Sequence, residues 1–109
     1  MHKETEERVQ GIRSRTRAGV TALGDLKTQL ALNQHEVIVH MLRSAENDFN
    51  DVDQLFLRML REKPSIPRTV AEEAMIVDGA ELVLQIGESL LKHIQGIVTK
   101  YGPDVQFSR

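Results

Sequence analysis

The placement of proline constrains this chain more than any other feature of its sequence. All three prolines of the 109 residues lie at two points: Pro64 and Pro67 form one break, and Pro103 follows Gly102 at the other. Because proline lacks a backbone N–H and its ring clashes with the preceding turn, it ends or kinks a helix. The stretches before Pro64 and from Arg68 to Gly102 contain none. The sequence therefore predicts long helices on both sides of the first break.

The stretch that follows the first break has clear start and stop signals. Ser65 or Thr69 can cap its first turn, because a hydroxyl side chain accepts hydrogen bonds from backbone amides that lack a helical partner. Thr69 and Glu72 also have the spacing of a capping box. Lys100 lies in the last turn, and the glycine and proline after it terminate a helix. We therefore predict a helix at 68–101.

Apolar or small residues recur along this helix in alternating steps of four and three, which is the spacing of a heptad seam. A second apolar row flanks the seam, so the apolar face is wider than a two-stranded coiled coil needs and favours a bundle. The seam consists of Ile76, Ala80, Val83, Gly87, Leu90, Ile94, Ile97 and Tyr101. The flanking row consists of Val77, Leu84, Leu91 and Val98.

Two series with the same spacing precede the prolines, but they are out of phase. Leu30 and Ile38 are eight residues apart where a heptad has seven, so either one helix stutters there or two helices meet. Asn33 and Glu36 have capping-box spacing, which favours a second helix that is collinear with the first or bent at Asn33. The two series are Val9, Ile12, Thr16, Gly19, Leu23, Leu26, Leu30 and then Ile38, Leu42, Ala45, Phe49, Val52, Phe56, Met59. The predicted elements are helices at 4–32, 34–62 and 68–101 and a tail at 102–109, all in one domain.

These patterns predict an all-α protein, a bundle with two or three long helices per chain. The first helix should be the least stable, because Gly11, Gly19 and Gly24 each cost about 1 kcal/mol relative to alanine. The second helix is apolar on nearly all sides at 37–42 and 55–60, and such a helix is buried on most of its faces. Exposed apolar surface favours association by about 25 cal/mol per Å². We therefore expect a homodimer that completes the bundle, and the alternative is a monomer whose three helices fold back on one another.

The sequence contains no pattern that carries chemistry. It has no cysteine, which excludes disulfides, thiolate metal sites and a cysteine nucleophile and fits a cytoplasmic protein. His35 and His40 do not share a helix face, and the acidic cluster from Glu46 to Asp53 lacks the glycine and glutamate of a calcium loop. Neither a nucleophile elbow nor a phosphate-binding loop occurs. We therefore predict no enzyme activity, no catalytic, metal-binding or cofactor-binding residues, and no membrane span.

One basic cluster lies in the first helix, where four arginines occur within ten residues without an acid among them. Such a face can bind phosphates, with an affinity that depends strongly on salt. The formal net charge of -2 and the absence of an aromatic residue between the arginines favour instead a solvated face or a dock for an acidic protein surface. The acidic cluster from Glu46 to Asp53 is a candidate counterpart, within the chain or in a second copy. The four arginines are Arg8, Arg13, Arg15 and Arg17.

The sequence thus predicts a non-enzymatic helical protein–protein interaction module, such as a self-associating adaptor, an assembly or secretion chaperone, or a small regulatory subunit. Its expected partners are a second copy and another protein, with no membrane and no cofactor. The alternatives are a nucleic-acid-associated regulator that uses the arginine face and a monomeric three-helix domain. The predicted bundle or dimer seam combines the series from Ile38 to Met59 with the series from Ile76 to Tyr101.

Overall fold

A computed structural model describes residues 1–29 and 36–101, without the side chains of Gln29 and Tyr101. This part of the chain forms three helices and no strand, which confirms the all-α prediction. Each helix begins within two residues of its predicted start. The helices are α1 (Lys3–Gln29), α2 (Glu36–Arg61) and α3 (Val70–Tyr101).

The start of α3 is fixed by the predicted capping box. The Thr69 hydroxyl accepts a hydrogen bond from the Glu72 backbone N–H at 3.1 Å, and the Glu72 carboxylate accepts one from the Thr69 backbone N–H at 3.3 Å. The same hydroxyl donates to the Glu72 carboxylate at 3.1 Å. Thr69, rather than Ser65, therefore caps α3 and accepts a hydrogen bond from one of the unpaired amides of its first turn.

α1 and α2 are separate helices that pack against each other in opposite directions. Lys27, near the end of α1, forms an ion pair with Glu46. Gly19, about two turns before Lys27, faces Phe49, which follows Glu46 along α2. The opposite order of these contacts along the two helices makes the pair antiparallel. The predicted bend at Asn33 lies outside the described residues.

α1 and α3 run parallel and in register. Arg8 donates to Glu81 and Arg15 donates to Glu88, and both contacts span 73 residues of sequence. A constant separation along two helices means that they advance together in the same direction. The predicted tail at 102–109 lies outside the part of the chain that the structure describes.

The core lies on the axis between the three helices and is mostly aliphatic, with Phe49 and Phe56 as its largest members. The whole predicted α2 series from Ile38 to Met59 is buried. Thr16 is the one fully buried hydroxyl among the described residues of the α1 series, and it donates to the Ile12 carbonyl at 2.8 Å. A buried hydroxyl without such a partner would be unfavourable. The core residues of α1 are Val9, Ile12, Leu23 and Leu26.

The centre of the α3 face differs from the predicted one. Ala80, Gly87 and Ile94 of the predicted seam are buried, but Ile76, Val83, Leu90 and Ile97 are only half-buried, and the predicted flanking row of Val77, Leu84 and Leu91 replaces them in the core. α3 packs against two helices, so its most buried residues lie between its contact with α1 and its contact with α2. α2 lies on the Val83 side, and α1 lies on the side of Glu81 and Glu88. The side chain of Tyr101 lies outside the described residues.

The narrowest point of the bundle is at the Phe49 ring, which two glycines enclose. An ideal Cβ on Gly19 would lie 2.5 Å from Cζ of Phe49, and one on Gly87 would lie 3.1 Å from its Cε1 and 3.2 Å from Cβ of Asp48. Real Cβ atoms do not approach carbon as closely as 2.5 Å, so α1 reaches this position only with glycine. By contrast, a Cβ on Gly11 or Gly24 would meet nothing within 4 Å.

Candidate protein interaction surface

Two of the four predicted arginines are engaged within the chain. Arg8 contacts Asp78 at 2.7 Å and Glu81 at 3.3 Å. Arg15 forms two hydrogen bonds with Glu88, at 2.5 and 3.2 Å, and lies 3.8 Å from Glu81. We call these α1–α3 contacts the charge ladder.

The charge ladder corrects the predicted counterpart of the arginines. The acidic cluster from Glu46 to Asp53 receives Lys27 at Glu46, and no arginine of α1 pairs with it among the described residues. The carboxylates that pair with Arg8 and Arg15 come from α3 instead. Sequence spacing contained no signal for this pairing, because the paired residues are 70 to 73 positions apart and meet only when α1 and α3 pack in register.

The ladder keeps its arginines charged but remains close to solvent. Hydrogen bonding to Asp78, and secondarily to Glu81, raises the pKa of Arg8 above its ordinary value, and hydrogen bonding to Glu88 does the same for Arg15. Both arginine side chains keep about 40% of their surface exposed. Water and salt therefore screen these pairs, and each contributes little to stability.

Removing the ladder should have a small, salt-sensitive effect. We expect Arg8→Ala/Arg15→Ala to lower the free energy of unfolding by about 1 kcal/mol at low salt and by less at about 1 M salt. Arg13→Ala/Arg17→Ala is the matched control, since neither arginine has an ion-pair partner among the described residues, and it should change stability by at most a few tenths of a kcal/mol. Urea unfolding followed by circular dichroism measures both variants. Equal losses in the two would show that the ladder does not form.

A buried carboxylate ties the beginning of α1 to the first turn of α3. One oxygen of Glu73 accepts hydrogen bonds from the His2 backbone N–H at 3.0 Å, from His2 Nδ1 at 2.8 Å and from the Thr5 hydroxyl at 2.9 Å. Burial by itself would raise the pKa of Glu73, but these hydrogen bonds outweigh it and lower the pKa to about 2. Glu73 is therefore ionised at neutral pH although only 5% of its surface is exposed.

The His2–Glu73 contact was not predicted from the sequence. His2 has no partner at helical spacing, which indicates a solvated side chain, and nothing in the sequence distinguishes the buried Glu73 from the exposed Glu72 beside it. The two residues are 71 positions apart. Only the parallel packing of α1 on α3 brings them together.

A cleft of about 500 Å³ opens beside this contact, at the end of the bundle where α1 and α3 begin. Its walls are mainly apolar, and an ion pair between Arg68 and Glu62 at 3.1 Å lies at its edge. The Glu73 carboxylate, which lines this cleft, already accepts three hydrogen bonds. Among the described residues, no group of three or more His, Cys, Asp or Glu side chains is placed to hold a metal ion. The apolar walls include Met59, Leu60, Pro64 and Pro67.

Of the three described helices, α3 carries the largest number of exposed large apolar side chains. Met75 is 74% exposed, Leu82 is 59% exposed and Ile86 is 50% exposed. They lie on a face of α3 that neither α1 nor α2 covers, next to the half-buried side of the predicted seam. A shallow groove lined by Leu55 of α2 and Val83 of α3 adjoins this face. α3 is thus apolar both where it meets its own chain and where it meets solvent.

The predicted seam residues therefore divide into two groups. One group, the α2 residues together with the buried residues of α3, is covered within the same chain, which is the arrangement of the monomeric three-helix alternative. The half-buried residues of α3 stay accessible along the α2–α3 groove. The covered residues are Ile38, Leu42, Phe49, Val52, Phe56, Met59, Ala80, Gly87 and Ile94. The accessible ones are Ile76, Val83, Leu90 and Ile97.

No helix in the described part of the chain is long and apolar enough to cross a lipid bilayer. Comparison with protein-family models, with curated proteins and with solved structures found no match in any of the three. The class that the fold and its surface define is an all-α, three-helix bundle with an apolar outer face on its last helix.

Proposed function

We propose that the protein is a non-enzymatic helical interaction module that self-associates. The observation that carries this proposal is the exposed apolar face of α3, with Met75, Leu82 and Ile86 each at least half exposed. Single exposed apolar residues are normal on soluble proteins, but a contiguous apolar patch on one helix face marks an interaction site. Pairing of such faces removes apolar surface from water.

The shape of the molecule supports the same proposal. Its accessible surface is 7401 Å², whereas a compact monomer of 12.3 kDa exposes about 6,100 Å². An elongated rod, whose Cα atoms occupy 57 × 19 × 17 Å, exposes more surface than a compact shape of the same mass. A rod this thin has a core only one side chain deep, so association along its length would add much buried area.

A cytoplasmic adaptor, an assembly or secretion chaperone, or a small regulatory subunit would use such a surface to bind a further protein. The absence of cysteine fits the cytoplasm. The buried part of the seam gives the chain a stable scaffold, and the exposed face of α3 supplies the contact.

Self-association predicts a concentration-dependent mass and stability. Sedimentation equilibrium should give about twice 12.3 kDa, and the thermal unfolding midpoint should rise with protein concentration, because dimerisation stabilises the folded state by mass action. A single species at the monomer mass across the micromolar range, with a concentration-independent midpoint, would rule the proposal out.

Nucleic-acid binding by the arginine face is the competing proposal, and the charge ladder argues against it. Arg8 and Arg15 contact carboxylates of α3, so a phosphate backbone approaching them would also approach three acids. Fluorescence anisotropy with a DNA or RNA oligonucleotide at about 50 mM salt should show no binding. Salt-sensitive binding that is lost in Arg13→Ala/Arg17→Ala would replace our proposal with this one.

A further inference from the structure

The outer face of α3 carries its own series in alternating steps of four and three. Every member is exposed, so this series is distinct from the buried one. Its side chains follow the order large, small, large, large, small, large, which is the same in both directions along the helix. The members are Met75, Gly79, Leu82, Ile86, Ser89 and His93.

A series that is the same in both directions matches a second copy of itself when the two helices are antiparallel. With a two-fold axis between Leu82 and Ile86, Leu82 lies opposite Ile86 of the second copy. Gly79 then lies opposite Ser89 of the second copy, so a layer of small residues lets the helix backbones approach closely. A parallel pair in register would also place large residues against large and small against small, so the series defines the contact face and the charges beside it decide the orientation. A closed two-fold contact is also the commonest form of self-association.

The charges of α3 favour the same orientation. All its acidic residues precede its basic ones: Glu72, Glu73, Asp78, Glu81 and Glu88 come before Lys92 and Lys100. Parallel helices would place Asp78 and Lys92 each beside its own copy, whereas antiparallel helices bring Lys92 near the acidic half of α3 of the second copy. With the axis between Leu82 and Ile86, Asp78 lies opposite Leu90 of the second copy, so Lys92 of that copy is displaced from it by only about 3 Å along the axis. The helix dipoles also oppose each other favourably in this arrangement.

The dimensions of the rod require a contact along its side. A long side of the bundle offers about 1,000 Å² and an end offers about 300 Å², and a stable interface buries about 800 Å² per partner. Only a lateral contact meets this need. The exposed series spans the middle of α3, where a lateral contact is centred.

We propose that two copies of this chain pair through antiparallel α3 helices, about a two-fold axis between Leu82 and Ile86. This inference rests on the self-association proposed above and specifies its surface and orientation. It makes the dimer a six-helix assembly with the α3 pair at its centre.

Disulfide cross-linking tests the orientation directly, because the chain has no cysteine of its own. In the proposed dimer Gly79 faces Ser89 of the second copy, whereas either residue lies about 15 Å along the axis from its own copy, at 1.5 Å per residue. A disulfide needs Cα atoms within about 7 Å. A mixture of Gly79→Cys and Ser89→Cys should therefore cross-link on oxidation, and neither variant should do so alone.

The matched control is Ser14→Cys, which is the same chemical change at an exposed position on α1. Mixed with Ser89→Cys it should give no cross-link. Cross-linking of Ser89→Cys alone would indicate parallel helices and overturn the orientation. A dimeric mass without any of these cross-links would place the interface elsewhere, while a monomeric mass would overturn the proposed function itself. If either cysteine weakens pairing, Met75→Cys mixed with His93→Cys tests the outermost layer in the same way.

A charge placed on the axis tests the surface independently of the cross-links. In Leu82→Glu two carboxylates would be buried close to each other at the centre of the contact, so the variant should sediment as a monomer with unchanged helical circular dichroism. Val20→Glu is the matched control, because Val20 on α1 is 51% exposed, and it should stay dimeric. Retention of the dimer by Leu82→Glu would overturn the inference.

Discussion

Replacing Gly19 with alanine should lower the free energy of unfolding by about 2 kcal/mol. The added Cβ would lie 2.5 to 2.9 Å from three atoms of the Phe49 ring, well inside the normal carbon contact distance of about 3.5 to 4.0 Å. The ring has no room to retreat, because Phe49 is fully buried and Gly87 closes its other side. This clash outweighs the helix propensity of alanine, which alone would stabilise α1 by about 1 kcal/mol. Urea unfolding at a fixed protein concentration measures the change.

Gly24→Ala is the matched control on the same helix. A Cβ at Gly24 would meet nothing within 4 Å, so propensity alone acts and the variant should be more stable by about 1 kcal/mol. Adding Phe49→Leu to Gly19→Ala should remove part of the clash, and a double-mutant cycle should show coupling between the two positions. If Gly19→Ala stabilises as much as Gly24→Ala, α1 does not approach Phe49 as described.

Gly87→Ala should be milder than Gly19→Ala but of the same sign. Its Cβ would lie 3.1 to 3.3 Å from atoms of Phe49 and Asp48, so the neighbours need to move by only a few tenths of an ångström. Since Phe49 is held by Gly19 from the other side, we expect a net loss of stability. The order of the three alanine variants in urea therefore maps how closely each helix approaches the ring.

Acid should remove a large contribution of Glu73 to the free energy of unfolding. Its pKa is about 2 in the folded protein against 4.5 for an ordinary glutamate, so the folded state favours the ionised form. The resulting stability, on the order of 3 kcal/mol, is fully present above about pH 4.5 and is lost as the pH falls through 2. The free energy of unfolding of the wild type should therefore fall relative to that of Glu73→Gln between pH 5 and pH 2.

Glu7→Gln serves as the control for this titration, because Glu7 is an exposed residue of the same type on α1. Its stability should follow that of the wild type across the acid range. The pKa of Asp48 is shifted in the opposite direction, since burial and then the nearby charge of Asp51 raise it. Asp48 is present in all three proteins, so its effect on stability cancels when they are compared. Parallel loss of stability in the wild type and in Glu73→Gln would show that the three hydrogen bonds to Glu73 do not hold its ionised form.

Periodicity predicted the helices well because it reports which residues of one helix are apolar. The α2 series was correct at every position, since α2 packs against α1 on one side and α3 on the other, and its apolar stripe is centred on the core. On α3 apolar residues occupy more than half of the circumference, so spacing alone did not distinguish the covered Leu84 from the half-buried Val83 or the exposed Leu82. The side on which α1 packs decides among them.

The candidate surface was less predictable for a related reason. Glu73, Arg8 and Arg15 owe their roles to partners about 70 residues away, and no local pattern encodes such a pairing. Gly87 is the exception, because a glycine at a seam position of a helix is a local pattern that indicates a close approach by a neighbour. The spacing of the exposed series through Leu82 can also be read from the sequence. Only the structure separates it from the other apolar rows of α3, because it shows that those rows are partly or fully buried.

The enclosed ring of Phe49 has a consequence for the uniqueness of the fold. Arg8 and Arg15 are seven residues apart, and so are Glu81 and Glu88, so α1 displaced by one heptad along α3 could still form charged pairs. The same displacement would bring Ile12 or Leu26 to the place of Gly19, and either side chain would collide with the aromatic ring. The repeating charged contacts do not distinguish these positions, whereas the close approach of Gly19 to Phe49 occurs in only one of them.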